Sequence, residues 1–377
     1  MSTNTAPPKI TETRKLGLVA IIALVIAGLA TADRLLERAQ NSEVRSLAER
    51  SYADGLRFRQ AGKVNAAVEA FRKAHALERK NAEYELQLVG ALIDAKKPEE
   101  ADLPMREILD REPNDGRANL YAAHLMIAEG KIVEAESYYH RAIYGEWPDS
   151  ALTHRIAVRM ELADFLAAKG KQEELLAELL PLQEEAGKDP AAQRRLAQLF
   201  LTAGSPSRAA DEYRALIKQN SKDADAYAGL GQAELQMGNY RAAREAFLSA
   251  AARKPHDPSI QKKVELATTL SALDPTARRL TSHEKYRRSV QILELARDDL
   301  QSCLSTNPGG ASHAAQQLLT SVNDTLAKKA PASVTNEVAE QILSLADDTL
   351  QARIKLCGKG VAPGEEPLRL IMEKIAQ

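Results

Sequence analysis

Two cysteines, one tryptophan and an aromatic content of 4% in 377 residues remove several classes of protein at once. Two cysteines cannot build a disulfide framework or a four-cysteine zinc site. So few aromatic residues argue against a sheet-dominated core, while the abundance of alanine and leucine favours helices. Charge of one sign is lacking as well. Lys and Arg total 51 against 52 Asp and Glu, so no basic surplus calls for nucleic acid and no block of like charge forms a tail. Catalytic spacings are missing too. The seven histidines form no HExxH pair, and there is no GxSxG, Walker or GxGxxG motif. Acid pairs such as Glu99-Glu100, Glu173-Glu174 and Asp298-Asp299 lie on helical stretches, where a solvated face explains them. Neither an enzyme nor a metal, cofactor or small-molecule site is expected.

One long apolar run is present. Residues 16–32 read LGLVAIIALVIAGLATA, with no charge, the short end of what a helix needs to cross roughly 30 Å of hydrocarbon. The polar tail before it, residues 1–15, is expected to be disordered. Two functional readings compete. The run is either a retained transmembrane helix or a signal peptide cut after the A-x-A-like Ala30-Thr31-Ala32; a buried core helix is the bland alternative. Residues 33–47 continue a helical pattern and read as a helical linker. Lys9, Arg14 and Lys15 before the run and Arg34, Arg38 and Arg45 after it give a weak charge bias. It leans towards a single-pass topology with the bulk of the chain on the extracytoplasmic, periplasmic side.

The rest of the chain is periodic. Gly62, Gly130, Gly170, Gly204 and Gly238 each follow a candidate helix. The last two intervals are 34 residues, the interval before them is 40, and the first is 68 with Lys96 in its middle slot. The 40 is one period plus an insertion around YGEWPDS, residues 144–150. A fixed period of this size marks a repeat array. Small residues recur where paired helices would cross: Gly55, Ala123, Ala163, Ala197 and Gly231 on the first helix, and Ala67, Ala101, Ala135, Ala209 and Ala243 on the second. A bulky wedge recurs at Phe71, Met105, Tyr139, Leu179, Tyr213 and Phe247. Val89 and Leu175 depart from the small-residue rule. Asp189-Pro190 and Asp257-Pro258 supply a cap and a first-turn proline. One such hairpin cannot bury its apolar face alone, so neighbours must stack.

This pattern resembles the tetratricopeptide repeat (TPR) family over residues 48–257, about six repeats, of which the fourth is the most degenerate. The resemblance implies an all-α, right-handed TPR superhelix. Here it would follow one N-terminal transmembrane helix and precede a helical region, residues 258–377. It also implies that a protein segment binds along a concave face lined by the first helix of each repeat. That face would include Tyr52, Leu56, Arg59, Leu86, Ile93, Leu120, His124, Met160, Arg194, Gln198, Gln232 and Gln236. Family members that grip a chaperone's terminal carboxylate use a Lys/Asn pair where this chain has Tyr52 and Leu56, so that clamp is not implied. The function implied is a membrane-anchored scaffold for protein partners in assembly of a cell-envelope complex. A holdase for exported chains and a cytosol-facing anchored receptor stay open.

Beyond Pro258 the period fades while helices continue. Thr281 with Glu284 forms a capping box, NPGG at 307–310 ends the helix it opens, and two helices follow near 311–329 and 333–356. This region reads either as a terminal cap for the array or as a separate binding domain. Cys303 and Cys357 each fall near a helix end and are candidates for one disulfide in an exported chain. Trp147, in the insertion, is either packed over a neighbouring helix or free to fill a partner's pocket.

Overall fold

The computed structural model describes residues 10–376 apart from 186, 188, 307–312, 332 and 359–366. In its first helix it describes side chains only from residue 24, omitting 27, 30, 32 and 33. Among the described residues every regular element is a helix, and one isolated bridge joins Asp115 to Glu146. The chain divides into two compact units, Met1–Leu162 and Ala163–Gln377.

The first unit holds α1 (Ile10–Gln60), α2 (Val64–Leu77), α3 (Ala82–Asp94), α4 (Pro98–Arg111), α5 (Gly116–Ala128), α6 (Ile132–Ile143) and the start of α7 (Ala151–Lys169). Of the tail expected to be disordered, residues 1–15, the part from Ile10 is helical, and residues 1–9 lie outside the described residues. No boundary separates residues 16–32, the linker and the first repeat helix, because no proline interrupts 10–60 and no glycine there leaves helical backbone. Among the described residues no helix is long and apolar enough to cross a membrane. Most side chains of the apolar run lie outside those residues. Leu24, Val25, Ile26 and Leu29 are described, and all four are exposed.

Helices α1 to α6 each pack chiefly on their neighbours in sequence, and α3 also touches α5. The wedges Phe71, Met105 and Tyr139 are buried, as are Ala67, Ala101 and Ala135 one turn before them on the same helices. The turns between paired helices put Gly62 at φ 68° and Gly130 at φ 76°, the left-handed conformation that costs glycine nothing. Lys96 fills the same slot at φ 58°. Trp147 packs rather than projects: its ring stacks on His154 at 4.2 Å, and its Nε1 donates to the Ala142 carbonyl at 3.0 Å. The insertion is tied to the start of α5 by the Gly116 N–H on the Glu146 carbonyl and the Glu146 N–H on the Asn114 carbonyl, both 2.8 Å.

The second unit holds the rest of α7, α8 (Gln172–Glu185), α9 (Pro190–Thr202), α10 (Pro206–Gln219), α11 (Ala224–Gln236), α12 (Tyr240–Arg253) and α13 (Pro258–Leu273). It continues with α14 (Ser282–Thr306), α15 (His313–Ala327), α16 (Asn336–Cys357) and α17 (Pro367–Ala376). Leu179, Tyr213 and Phe247 are the buried wedges here. Asp189, Asp223 and Asp257 each cap a following helix by accepting backbone N–H bonds, which satisfies donors a helix start leaves open. The Thr281 hydroxyl accepts the Glu284 N–H in the same way at 3.2 Å. The NPGG stretch lies outside the described residues.

Behind α12 the last helices share one apolar core, in which Tyr240 and Leu270 meet Ile292, Leu293, Ile342, Ile371 and Met372. The Tyr240 hydroxyl donates to the Leu370 carbonyl at 2.7 Å, and Lys374 Nζ reaches Asp274 Oδ2 at 2.7 Å. So α17 folds back onto the final repeat-like hairpin. Helices α14 and α16 run parallel in fixed register. Ser282 meets Asn336, Asp299 meets Arg353, and the Cys303–Cys357 disulfide closes the far end, each pair 54 residues apart.

Candidate protein-interaction face

The first helices of the hairpins in the N-terminal unit, α1, α3, α5 and the start of α7, carry a connected row of polar and aromatic side chains. It begins at Tyr52, which lies 5.8 Å from Phe71 and 5.0 Å from Tyr84 between ring centroids. Its hydroxyl donates to Glu83 Oε1 at 3.1 Å. Burial first, and then the Glu83 charge, push that phenol up to about 12. Glu83 also accepts from Gln87 Nε2 at 3.0 Å and Arg117 Nη1 at 2.6 Å.

Arg59 extends the row. Its Nε donates to Asp94 at 2.8 Å, while its Nη1 reaches Gln87 Oε1 and the Tyr121 hydroxyl, each at 3.0 Å. The guanidinium lies 5.7 Å from the Tyr121 ring centroid, within cation–π range. Gly90 makes room for that ring, since a Cβ there would sit 2.6 Å from it. The Tyr121 ring meets the edge of His124, and a His124 ring nitrogen meets Glu161 Oε1. Glu161 also accepts from the Tyr139 hydroxyl at 2.8 Å. Burial alone would raise the Glu161 carboxyl, but the His124 hydrogen bond and charge, with Tyr139, hold it below the usual glutamate range.

The residues expected on a binding face separate into groups. Tyr52, Arg59 and His124 belong to this row. Leu56 and Ile93 are half-buried against the adjoining core, and Leu120 and Met160 are half-buried as well. Leu86 is 2% exposed, so it packs inside the unit and offers no side chain to a partner. In the second unit Arg194 makes a bidentate pair with Asp223, 3.2 and 2.7 Å. Gln232 is half-buried, and Gln198 and Gln236 are exposed. Among the described residues none of these three carries a contact comparable to those of the row.

Sequence reasoning missed Glu83, Gln87, Asp94, Arg117, Tyr121 and Glu161. Gln87, Tyr121 and Glu161 occupy one repeat position, each following the previous by the period or by the period plus the insertion. That spacing was the available signal. The row is chemically a set of pre-positioned donors, acceptors and ring faces with no nucleophile–base pair. Among the described residues no cluster of His, Cys, Asp or Glu has the makings of a metal site.

A family model described as tetratricopeptide repeat matches residues 194–258. No curated protein matches the chain in sequence. Similar solved structures include PilW, titled a widely conserved type IV pilus biogenesis factor. It is 18% identical over 57% of this chain and 96% of its own, with a TM-score of 0.42. YrrB, titled a TPR protein with an unusual peptide-binding site, is 19% identical over 52% of this chain and 96% of its own, TM-score 0.40. PilF of Pseudomonas aeruginosa is 16% identical over 59% of this chain and 97% of its own, TM-score 0.41. Likeness at this level identifies neither a partner nor an activity. Residues 194–258 thus match the tetratricopeptide repeat family over α9–α10 and α11–α12, and the hairpins of the first unit bury their wedges in the same register.

Proposed function

We propose that this chain is a non-catalytic scaffold that holds a protein segment along the first-helix face of its N-terminal unit. The observation that carries the reading is the row from Tyr52 through Arg59 and Tyr121 to Glu161. Its side chains are fixed by one another before any partner arrives, so binding would cost little further ordering. Half-buried Leu56, Ile93 and Leu120 add apolar surface beside it. An extended or helical segment with both charged and apolar side chains suits that mixture.

The proposal includes a membrane tether through residues 16–32, with the repeats on the extracytoplasmic side and a role in assembling a cell-envelope complex. The uncharged run supports the tether, and the Cys303–Cys357 disulfide, a bond kept in oxidising compartments, supports that side over a cytosol-facing receptor. Intact mass of the mature protein tests the tether, because a chain beginning at Asp33 would replace the anchor with a cleaved signal.

The face itself is tested by placing a photo-crosslinking side chain at Tyr121 and, as a control, at exposed Leu103 on α4. One or a few proteins captured from Tyr121 and lost with Arg59→Ala would support a dedicated scaffold. Many weak clients would turn the reading to a holdase. Equal capture from Leu103 would remove the face from consideration. Glutamate at Leu86 is unsuitable for this purpose, since it would place a charge in the core.

A further inference from the structure

The parallel pair α14–α16 forms a groove that α15 fills over only part of its length. At 1.5 Å per residue, the 15 residues of α15 span about 22 Å, against about 37 Å for the 25 residues of α14. Past the end of α15 the groove opens as a cavity of about 830 Å³. Its floor is Tyr286, Val290 and Leu293 of α14 with Val338, Ile342 and Leu345 of α16. Each helix therefore contributes apolar side chains at i, i+4 and i+7, two turns of lining. Four of the six are only partly buried.

The rim is basic. Lys328 and Lys329 sit where α15 ends, with His283 and Arg287 opposite and Glu294 the one acid. Arg287 already pairs with Glu284 at 2.7 Å. Lys328 and Lys329 make no ion pair among the described residues.

We infer that this open half-groove is a docking site for a short amphipathic helix of a partner protein, with acidic residues flanking its apolar stripe. The occupant's shape follows from continuity, because the open stretch prolongs the bed that α15, itself a helix, already occupies. Two turns of facing apolar lining match the i, i+4, i+7 anchors by which a helix seats in a groove. Its charge follows from the two uncommitted lysines at the rim. The site is separate from the face proposed above and does not depend on it.

The test uses the full chain and two labelled 16-residue peptides. Both carry leucines at i, i+4 and i+7; one has glutamates beside the stripe and the other lysines. Fluorescence anisotropy should show the acidic peptide binding at least tenfold tighter, and the gap should shrink with added salt. Lys328→Glu with Lys329→Glu, exposed positions that leave the core untouched, should invert the preference. Arg59→Ala with Tyr121→Ala should leave binding unchanged. Equal binding of both peptides, no binding of either, or indifference to the lysine reversal would overturn the inference. Binding of dodecanoate without the acidic peptide would overturn it in favour of a lipid ligand.

Discussion

The Phe247 ring lies so close to the Cα of Gly231 that a Cβ built on the glycine would stand 2.5 Å from it. Gly55 and Phe71 repeat the relationship at 2.6 Å. A glycine inside a helix costs about 1 kcal/mol relative to alanine, and here that cost secures the approach of two helices.

Gly231→Ala should therefore destabilise the second unit by about 1 kcal/mol, the penalty of overpacking exceeding the gain in helix propensity. Urea denaturation measures it. Combining the change with Phe247→Leu should recover part of the loss, so the pair should be non-additive. Simple additivity would mean that ring and glycine do not constrain each other.

Lys96 should be improvable. It holds φ 58° in the slot where the other inter-helix turns have glycine. Relieving a left-handed non-glycine residue recovers about 1–2 kcal/mol, less the unfolded-state entropy that glycine adds. Lys96→Gly should stabilise the chain by about 0.5–1 kcal/mol, read as a rise in Tm.

Asp223 links stability to pH. Its bond to Arg194, strengthened by backbone N–H donors and opposed by burial, holds the carboxyl below its ordinary 3.8. A depressed folded value gives stability that is fully present above the ordinary carboxylate range and lost as pH falls through the folded value. Asp223→Asn keeps a capping oxygen but loses the charge, and should cost about 1 kcal/mol at neutral pH. The gap between the two proteins should close in acid melts below pH 3.8. A gap unchanged across that range would mean that the carboxylate charge does not carry the effect.

Replacing Cys303 and Cys357 together with serine should cost about 4 kcal/mol in the chain-entropy picture for a loop of this length. The loss should appear in hydrogen exchange of α14 and α16 while α3 and α5 keep their protection.

The repeat register was legible because packing repeats it. The period placed every wedge and the exception at Lys96, and the helix-end positions of Cys303 and Cys357 suggested their pairing. One more periodic signal was read only in part: Asp189 and Asp257 stood out as caps, and Asn81, Asp115 and Asp223 cap helices at the same repeat position. The proposed face was less legible. Its residues were chosen from family positions, one of which turns inward at Leu86, while the neighbouring position of Gln87 and Tyr121 makes the contacts. Nor did composition reveal where α1 begins, since residues 10–15 are polar yet continue an uninterrupted helix. The parallel α14–α16 arrangement has no periodic counterpart in sequence, because it depends on pairings 54 residues apart.

That constant offset separates two kinds of sequence change. Ser282 with Asn336, Asp299 with Arg353 and Cys303 with Cys357 act as ties that fix how far one helix has slid along the other. The segment leading from α15 into α16 is thereby relieved of any duty as a ruler, and residues added between Lys328 and Thr335 should be absorbed as slack. A single residue inserted between Asn336 and Arg353 is different in kind. It would turn everything after it by about 100° and leave Arg353 and Cys357 pointing away from their partners.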